Sequence, residues 1–570
     1  SLPPLQFNSK KQKPQHIHII YMADIQQKIS TLCPEAQFDA TGELLLVTVP
    51  DAKWHQLALQ LRDELGFDYL TAVVGMDWKD SLGCVYYLTN SDTQEMLHVK
   101  VATTDREKPM LHTVSDVWAV ANYQEREVYD FFGIEFINHP DMRRFFLRND
   151  WVGYPLRKDY DASPELNPLR LTDEENEDDT HTIQEQPDGS LKRIDKKVFG
   201  PDEYVINVGP QHPSTHGVMR YRVSLDGEIV NKVDVVSGYI HRGIEKLCEG
   251  VPSPPPLLSP ERRDYMAPHI NRHCLCLCIE KALGIEVPHR AELIRMMMDE
   301  LMRLSSHLLS YGCLTMDQGA TTAFFYGFRE RELIYDIFDK TCGARMSMSY
   351  DVIGGVAADV HPDFIKDVRH LCDIMPEKLK EYHKLFSGNV IALNRMKGVG
   401  LLSREDAISY GITGPTGRAS GLHCDVRKTH PYSLYNEVDF DEVVLNGGDS
   451  YDRYMVRMKE IEQCVSILRQ CCDMLEKEGI EGEYCAKVPK LIKLPAGHWY
   501  QQVEASRGAF GVYLESDGDP KPFQKPYRMH FQTPCFNLIG VVDLTCKGNM
   551  IADLITITAS IDYVIPDIDR

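Results

Sequence analysis

Two stretches of this chain repeat apolar residues at alternating three- and four-residue steps. The first runs through Ile294, Met297, Met298, Leu301, Leu304 and Leu308, after Pro288, which can open a helix. The second runs through Tyr451, Met455, Met458, Ile461, Val465, Leu468, Cys472 and Leu475. Only the helical period places such residues on one face, and helices this long gain most of their stability by packing that face against others. A helical bundle is therefore predicted for the later part of the chain. A β-like opening after Tyr204 and β-like runs from Pro522 onward, notably Leu554 to Ala559, predict strand material at both ends of it.

The earlier part has a different pattern. Asp51 reads as the cap of a short helix carrying Trp54, Leu57, Ala58, Leu61 and Leu65, stopped by Gly66. Strand-like runs at 43–49, 69–74, 84–88 and 97–102 surround it, so residues 22–160 are predicted to form an α+β domain. Residues 1–21, with Lys10, Lys11 and Lys13, read as a polar tail. Between 161 and 200 the apolar content drops, and six of the seven residues from Asp173 to Asp179 are acidic. Such a segment buries too little apolar area to offset chain entropy, so a mobile linker between two independently folded units is expected, with the helical unit spanning 201–570.

A chain of 570 residues exceeds one ordinary core, and about three or four domain-sized units is the starting expectation. No run of about 18 apolar residues occurs, which argues against a membrane-spanning helix. The formal charge of −22 repels phosphate backbones and anionic lipid surfaces, so no nucleic-acid partner is expected. Sixteen cysteines are spread from Cys33 to Cys546 with no C-x-x-C spacing, which points to a reducing compartment and away from iron–sulfur ligation. Cys274, Cys276 and Cys278 fall on a predicted helix with the middle thiol turned away, so they read as small buried residues.

The densest set of reactive residues is Gly209 to Gly217, where glycines and prolines stiffen a loop presenting His212 and His216. Further candidates are Arg242 in Gly238 to Lys246, the Arg262-Arg263-Asp264-Tyr265 run, His307 on a helix, and Asp317 near that helix's end. Taken singly each has a bland reading: solvated loop histidines, a surface ion pair, a core tyrosine, a helix cap.

Together they resemble a known family. Glu125 to Gly133, followed by His139-Pro140, Arg143 and Arg144, resembles the signature of the C-type subunit of respiratory complex I. The segments Gly209 to Gly217, Glu245-Lys246, Phe328 to Glu332, Arg418 to Gly421, Asp425 to Lys428, Ser506 to Gly508 and Asp567 to Arg570 resemble the D-type subunit, in order, so the resemblance covers roughly 22–570. It implies a fused C/D subunit of a bacterial proton-pumping NADH:quinone oxidoreductase, with a fold like the large subunit of nickel-iron hydrogenases. The thiolate pairs of such hydrogenases are missing where they would stand, at Tyr239 to Arg242 and Asp562 to Asp567, so nickel chemistry is not expected.

The resemblance further implies that the emptied cavity takes a quinone headgroup as substrate. Tyr265 and His216 would donate hydrogen bonds and protons, Asp317 would partner that histidine, and His212, Arg242 and His307 would support the pocket. No permanently bound cofactor is implied for this chain; iron–sulfur clusters and FMN belong to companion subunits. Those companions would be the iron–sulfur B-type subunit, the I-type subunit, the membrane H-type subunit and other peripheral-arm subunits, with NADH acting indirectly. The implied location is the cytoplasmic side of the bacterial inner membrane, peripherally bound. Two departures stand out: five prolines between Val251 and Pro260, and no histidine in Met346 to Tyr350. An assembly scaffold without quinone chemistry is the competing expectation.

Overall fold

The structure, a computed structural model, describes every residue except 1–14, 40–44, 162, 164, 168–178, 212–215, 251–257, 480–481, 490–491 and 520–524. Along the first part run α1 (Gln15–Leu32), β1 (Gln37–Asp39), β2 (Leu46–Thr48), α2 (Asp51–Asp63), β3 (Tyr69–Asp77), β4 (Leu82–Thr89) and β5 (Met96–Thr103). Residues 15–21, expected in a tail, thus belong to a helix. The strands form one sheet in the order β1-β2-β5-β4-β3, antiparallel except for the β2/β5 pair. As the spacing predicted, α2 buries Trp54, Leu57, Ala58 and Leu61. Asp51 is its first residue, not its cap, and its carboxylate instead accepts the His112 amide at 2.8 Å.

Next come β6 (Met110–His112), α3 (Ala121–Phe132), β7 (Glu135–Ile137), β8 (Asp179–Glu185) and β9 (Leu191–Lys197). Gly133, at φ 70°, ends α3 in the left-handed conformation that glycine adopts without strain. On α3, Asp130 gathers the following chain: one carboxylate oxygen accepts the amides of Phe145, Phe146 and Leu147, at 3.1, 2.7 and 3.0 Å. Strands β6 to β9 form a four-stranded sheet in which Ile183 of β8 pairs with Ile137 of β7. The expected mobile linker is corrected here, because 179–197 is a hairpin laid on the sheet of the first part. β9 turns its charges to solvent while Thr180 to Ile183 are buried, and Thr182 Oγ1 donates to the His139 carbonyl at 2.6 Å. Most of the acidic run, 173–178, lies outside the described residues.

The rest of the chain opens with an antiparallel sheet of β10 (Tyr204–Gln211), β11 (Met219–Asp226) and β12 (Ile229–Val236). Its main helices are α4 (Pro268–Leu283), α5 (His289–Asp317), α6 (Thr321–Cys342), α7 (Phe364–Tyr382) and α8 (Ser450–Glu478). Both long periodic stretches are helices, α5 and α8, and they pack on each other. On α4, Cys274 faces the Gln501 carbonyl at 3.3 Å, and all three cysteines are buried thiols outside any disulfide. Beyond α8 lie β13 (Gly497–Ala505), β14 (Gly508–Ser516), β15 (Arg528–Gln532) and α9 (Leu554–Ile561). The expected strand at 554–559 is therefore a helix. Its alternating Ile and Thr favour a strand locally, but Leu554, Ile557 and Ile561 recur at helical spacing and join the core cluster that holds Val541, Val542 and Cys546, while Ser560 receives Arg453 of α8. Among the described residues no helix is long and apolar enough to cross a membrane.

The two parts share their cores. One cluster joins Trp54, Val128 and Phe146 to Val223, Phe536 and Ile557, and a second joins Ala72, Val74, Met76 and Tyr87 to Tyr500 and Tyr513. Every residue of β3 is buried, so both faces of its sheet are covered, one by material from the later part of the chain. This corrects the expectation of two independently folded units: a sheet with two apolar faces is stable only when both are packed. Residues 15–200 expressed alone should bind a hydrophobic dye and self-associate, whereas the full chain should do neither. Dye fluorescence and sedimentation check this.

Candidate functional site

Five separated segments converge behind α5. His216 sits just before β11, buried, at φ 50°, and its carbonyl accepts the Ile565 amide at 3.3 Å. The following Gly217 is required by this approach: a Cβ there would stand 2.5 Å from that of Ile565. His216 Nε2 lies 3.7 Å from Oδ1 of Asp562, the left-handed residue that ends α9. Asp562 also meets Arg507 Nη2 at 3.4 Å and Arg457 Nε at 3.5 Å.

Arg507, in the turn between β13 and β14, is the hub. Its Nη1 donates to Asp264 Oδ2 and to Ser306 Oγ, each at 3.0 Å. One guanidinium therefore holds both the carboxylate beside His216 and the carboxylate preceding Tyr265. Arg507 is 1% exposed, and such a pair stands only because both carboxylates and the guanidinium find hydrogen bonds. Burial pushes the Asp562 carboxyl up, but Arg507, Arg457, His216 and His307 outweigh it and hold it below its ordinary value. For Asp264, burial wins over Arg507 and the carboxyl rises.

Tyr265 is half-buried, and burial lifts its phenol to about 12 against the opposing pull of Arg507. Cys313 and Asp317, on the last turns of α5, share this neighbourhood: burial lifts the Cys313 thiol to about 12, and the charges of Asp562 and Asp317 add to it. His307 is fully buried, with Nε2 2.8 Å from Glu460 Oε2. Arg242 is exposed and donates Nη2 to the Arg262 carbonyl at 2.7 Å. His212 lies outside the described residues.

The carboxylate found near His216 is thus Asp562; the expected pairing with Asp317 stands only as a proposal. Sequence reasoning missed Asp562 and Arg507 as site residues. Ser506-Arg507-Gly508 stands out as a motif, but nothing local shows that a hairpin turn reaches two acids more than fifty residues away on each side.

The segments where metal-binding thiolates were sought lie together: the Asp569 carboxylate accepts the amides of Gly238 at 2.9 Å and Ile240 at 3.0 Å. Neither segment offers a soft ligand. Glu127, Glu245 and His530 also converge, but Arg570 Nη1 meets Glu245 at 3.0 Å and Arg528 Nη1 meets it at 2.8 Å, while Arg570 also pairs with Glu127. Two guanidinium groups already neutralise those carboxylates, and a further cation does not fit.

Two respiratory-chain subunit families match this chain in succession. The family described as the respiratory-chain NADH dehydrogenase 30 Kd subunit matches residues 47–165, and that described as the 49 Kd subunit matches 317–570. The chain is 54% identical over 525 residues to the NADH-quinone oxidoreductase C/D subunit of Phocaeicola vulgatus, covering 92% of this chain and 99% of that one. It is 52% identical to that of Bacteroides thetaiotaomicron, with 91% and 98% covered. The NADH-quinone oxidoreductase D-type subunit of Bacillus cytotoxicus is 42% identical over 368 residues, 65% of this chain and 99% of that one. The chain belongs to the NADH-quinone oxidoreductase C/D subunit family.

Arg507→Met should leave two buried carboxylates without their cation, costing about 3–5 kcal/mol. Loss of Arg507 raises the folded-state values of Asp264 and Asp562, and a raised carboxyl contributes stability below its unfolded value of about 4 that is lost as pH rises. The deficit should therefore be largest at neutral pH and shrink on acidification toward about 4. Urea unfolding at several pH values measures it.

Proposed function

We propose that this chain serves as a peripheral-arm subunit of a proton-pumping NADH:quinone oxidoreductase and forms the headgroup site for quinone, with His216 and Tyr265 donating to its two oxygens. The carrying observation is that one buried guanidinium, Arg507, ties the neighbourhoods of these two side chains together. The relatives' names support the reaction. The absence of thiolates at the positions where the expected hydrogenase-like framework would hold its metal supports a site turned over to an organic substrate.

The chemistry fits the residues. Reduction places negative charge on the quinone oxygens, and in a dry site that charge is expensive unless donors already stand there. Asp562, held in its ionised form, favours the imidazolium of His216, with Asp317 as the expected second carboxylate. A phenol raised to about 12 keeps its proton at neutral pH, so Tyr265 donates a hydrogen bond to the quinone. It yields the proton only when the oxygen has become strongly basic. His212, Arg242 and His307 would support the pocket.

Electrons would arrive from an iron–sulfur cluster held by a neighbouring B-type subunit. The I-type subunit, the membrane H-type subunit and other peripheral-arm subunits would complete the surroundings on the cytoplasmic side of the bacterial inner membrane. FMN and the remaining clusters would lie in those companions, which pass on the electrons of NADH.

Tyr265→Phe and His216→Ala in the assembled complex should each lower quinone reduction by about a hundredfold, the low end for loss of a proton donor. NADH oxidation by an artificial acceptor should stay unchanged. Parallel loss of both activities, with impaired assembly, would favour a scaffold role instead.

A further inference from the structure

The turn that ends α9 carries Asp562 against the preference of its own backbone. Asp562 stands at φ 64°, the left-handed conformation that glycine usually supplies at a helix end, and its amide closes the helix on the Thr558 carbonyl at 3.1 Å. A glycine would relax the turn but would remove the carboxylate that faces Arg507 and His216. The position needs an outside restraint, and α8 supplies one.

Arg457, buried on α8, reaches the two carbonyls that precede Asp562 with a single guanidinium: Nη1 donates to Ser560 at 2.6 Å and Nη2 donates to Ile561 at 2.9 Å. Both are among the last carbonyls of α9, which have no partner within the helix. The third nitrogen, Nε, lies 3.5 Å from Asp562 Oδ2 as an ion pair. Arg457 Nη1 also meets the Arg453 carbonyl at 3.2 Å, and Arg453 Nε donates to Ser560 Oγ at 2.9 Å, so the planar fork has little freedom to turn. On its other side the Asp562 carboxylate stands 3.7 Å from His216 Nε2, longer than a hydrogen bond. It is near enough to favour a charged imidazole without bonding to it directly.

We propose that Arg457 sets the placement of the Asp562 carboxylate relative to His216, and is thereby a positioning residue for quinone reduction. The inference rests on the reading that His216 meets the quinone. The charged groups facing the carboxylate are Arg457 of α8, Arg507 of the turn between β13 and β14, and His216 before β11, with a weaker electrostatic pull from His307 of α5. Of these only Arg457 also holds the backbone that carries Asp562.

Arg457→Gln keeps a donor toward one carbonyl but loses the fork and the charge. In the assembled complex its kcat for quinone reduction should fall about tenfold with KM for quinone unchanged. Arg507 still restrains the carboxylate, so the loss stays below the roughly hundredfold of a misplacement by about 1 Å. The alkaline limb of the kcat profile should move up by about one pH unit, because removing a cation beside the pair favours the protonated imidazole. A residue that only stabilises the fold would lower the amount of complex and leave that limb in place. Asp562→Asn, which the left-handed turn tolerates, supplies the comparison: combined with it, Arg457→Gln should cost nothing further. Losses that multiply in the double variant would overturn the positioning role, as would a wild-type kcat and pH limb in Arg457→Gln. If Arg457→Gln fails to assemble, Arg457→Lys decides, since it keeps the charge but not the fork: a lowered kcat per assembled complex supports the role, and a wild-type kcat overturns it. Unaltered quinone kinetics in His216→Ala would instead overturn the underlying site reading.

Discussion

The site depends on a positive charge placed where water cannot reach it. Arg507 sits in a two-stranded turn, yet its guanidinium binds Asp264, Ser306 and Asp562, drawn from the start of α4's approach, from α5 and from the end of α9. In a low-dielectric interior an unpaired charge is prohibitive, so these segments are held together by the requirement that Arg507 be satisfied. His216 and Tyr265 inherit their positions from that constraint. Placing a histidine and a tyrosine near one fixed cation also separates their surroundings: the carboxylate beside the histidine stays ionised, and the phenol stays protonated.

Around this centre the bundle carries an unusually charged interior. Arg418 joins Glu460 to Glu504, and Arg427 joins Asp425 to Glu300, all with almost no exposure. Such networks add little net stability compared with apolar packing, because desolvation offsets most of the Coulomb attraction. Their effect is directional. Each arginine fork fits few arrangements of its carboxylates, so neither α5 nor α8 can shift against the segment carrying Arg418 and Arg427 without breaking charged hydrogen bonds.

Much of the architecture was legible in the sequence because it is local. The periods on α5 and α8, the short helix α2 and strands β3 to β5 all follow from spacing. Failures arose where distant packing overrode local preference. Residues 554–561 look like a strand and form a helix because Leu554, Ile557 and Ile561, at helical spacing, bury one face in the core beside Val541 and Cys546. Residues 179–197 look like a linker because charge dominates the window, yet one buried edge at Thr180 to Ile183 suffices to lay the hairpin on its sheet. His216, Tyr265 and His307 could be picked out as candidates by motif, whereas the roles of Asp562 and Arg507 depend on contacts between segments hundreds of residues apart.

The doubly covered sheet bears on how such chains are made. In relatives such as the D-type subunit of Bacillus cytotoxicus, the matching polypeptide corresponds to only 65% of this one. For a sheet whose second apolar face is completed by Tyr500 and Tyr513, being on the same polypeptide guarantees equal numbers of both halves and a high local concentration of each for the other. Gene fusion here removes a bimolecular assembly step, sparing the cell orphan halves with sticky, unfinished surfaces.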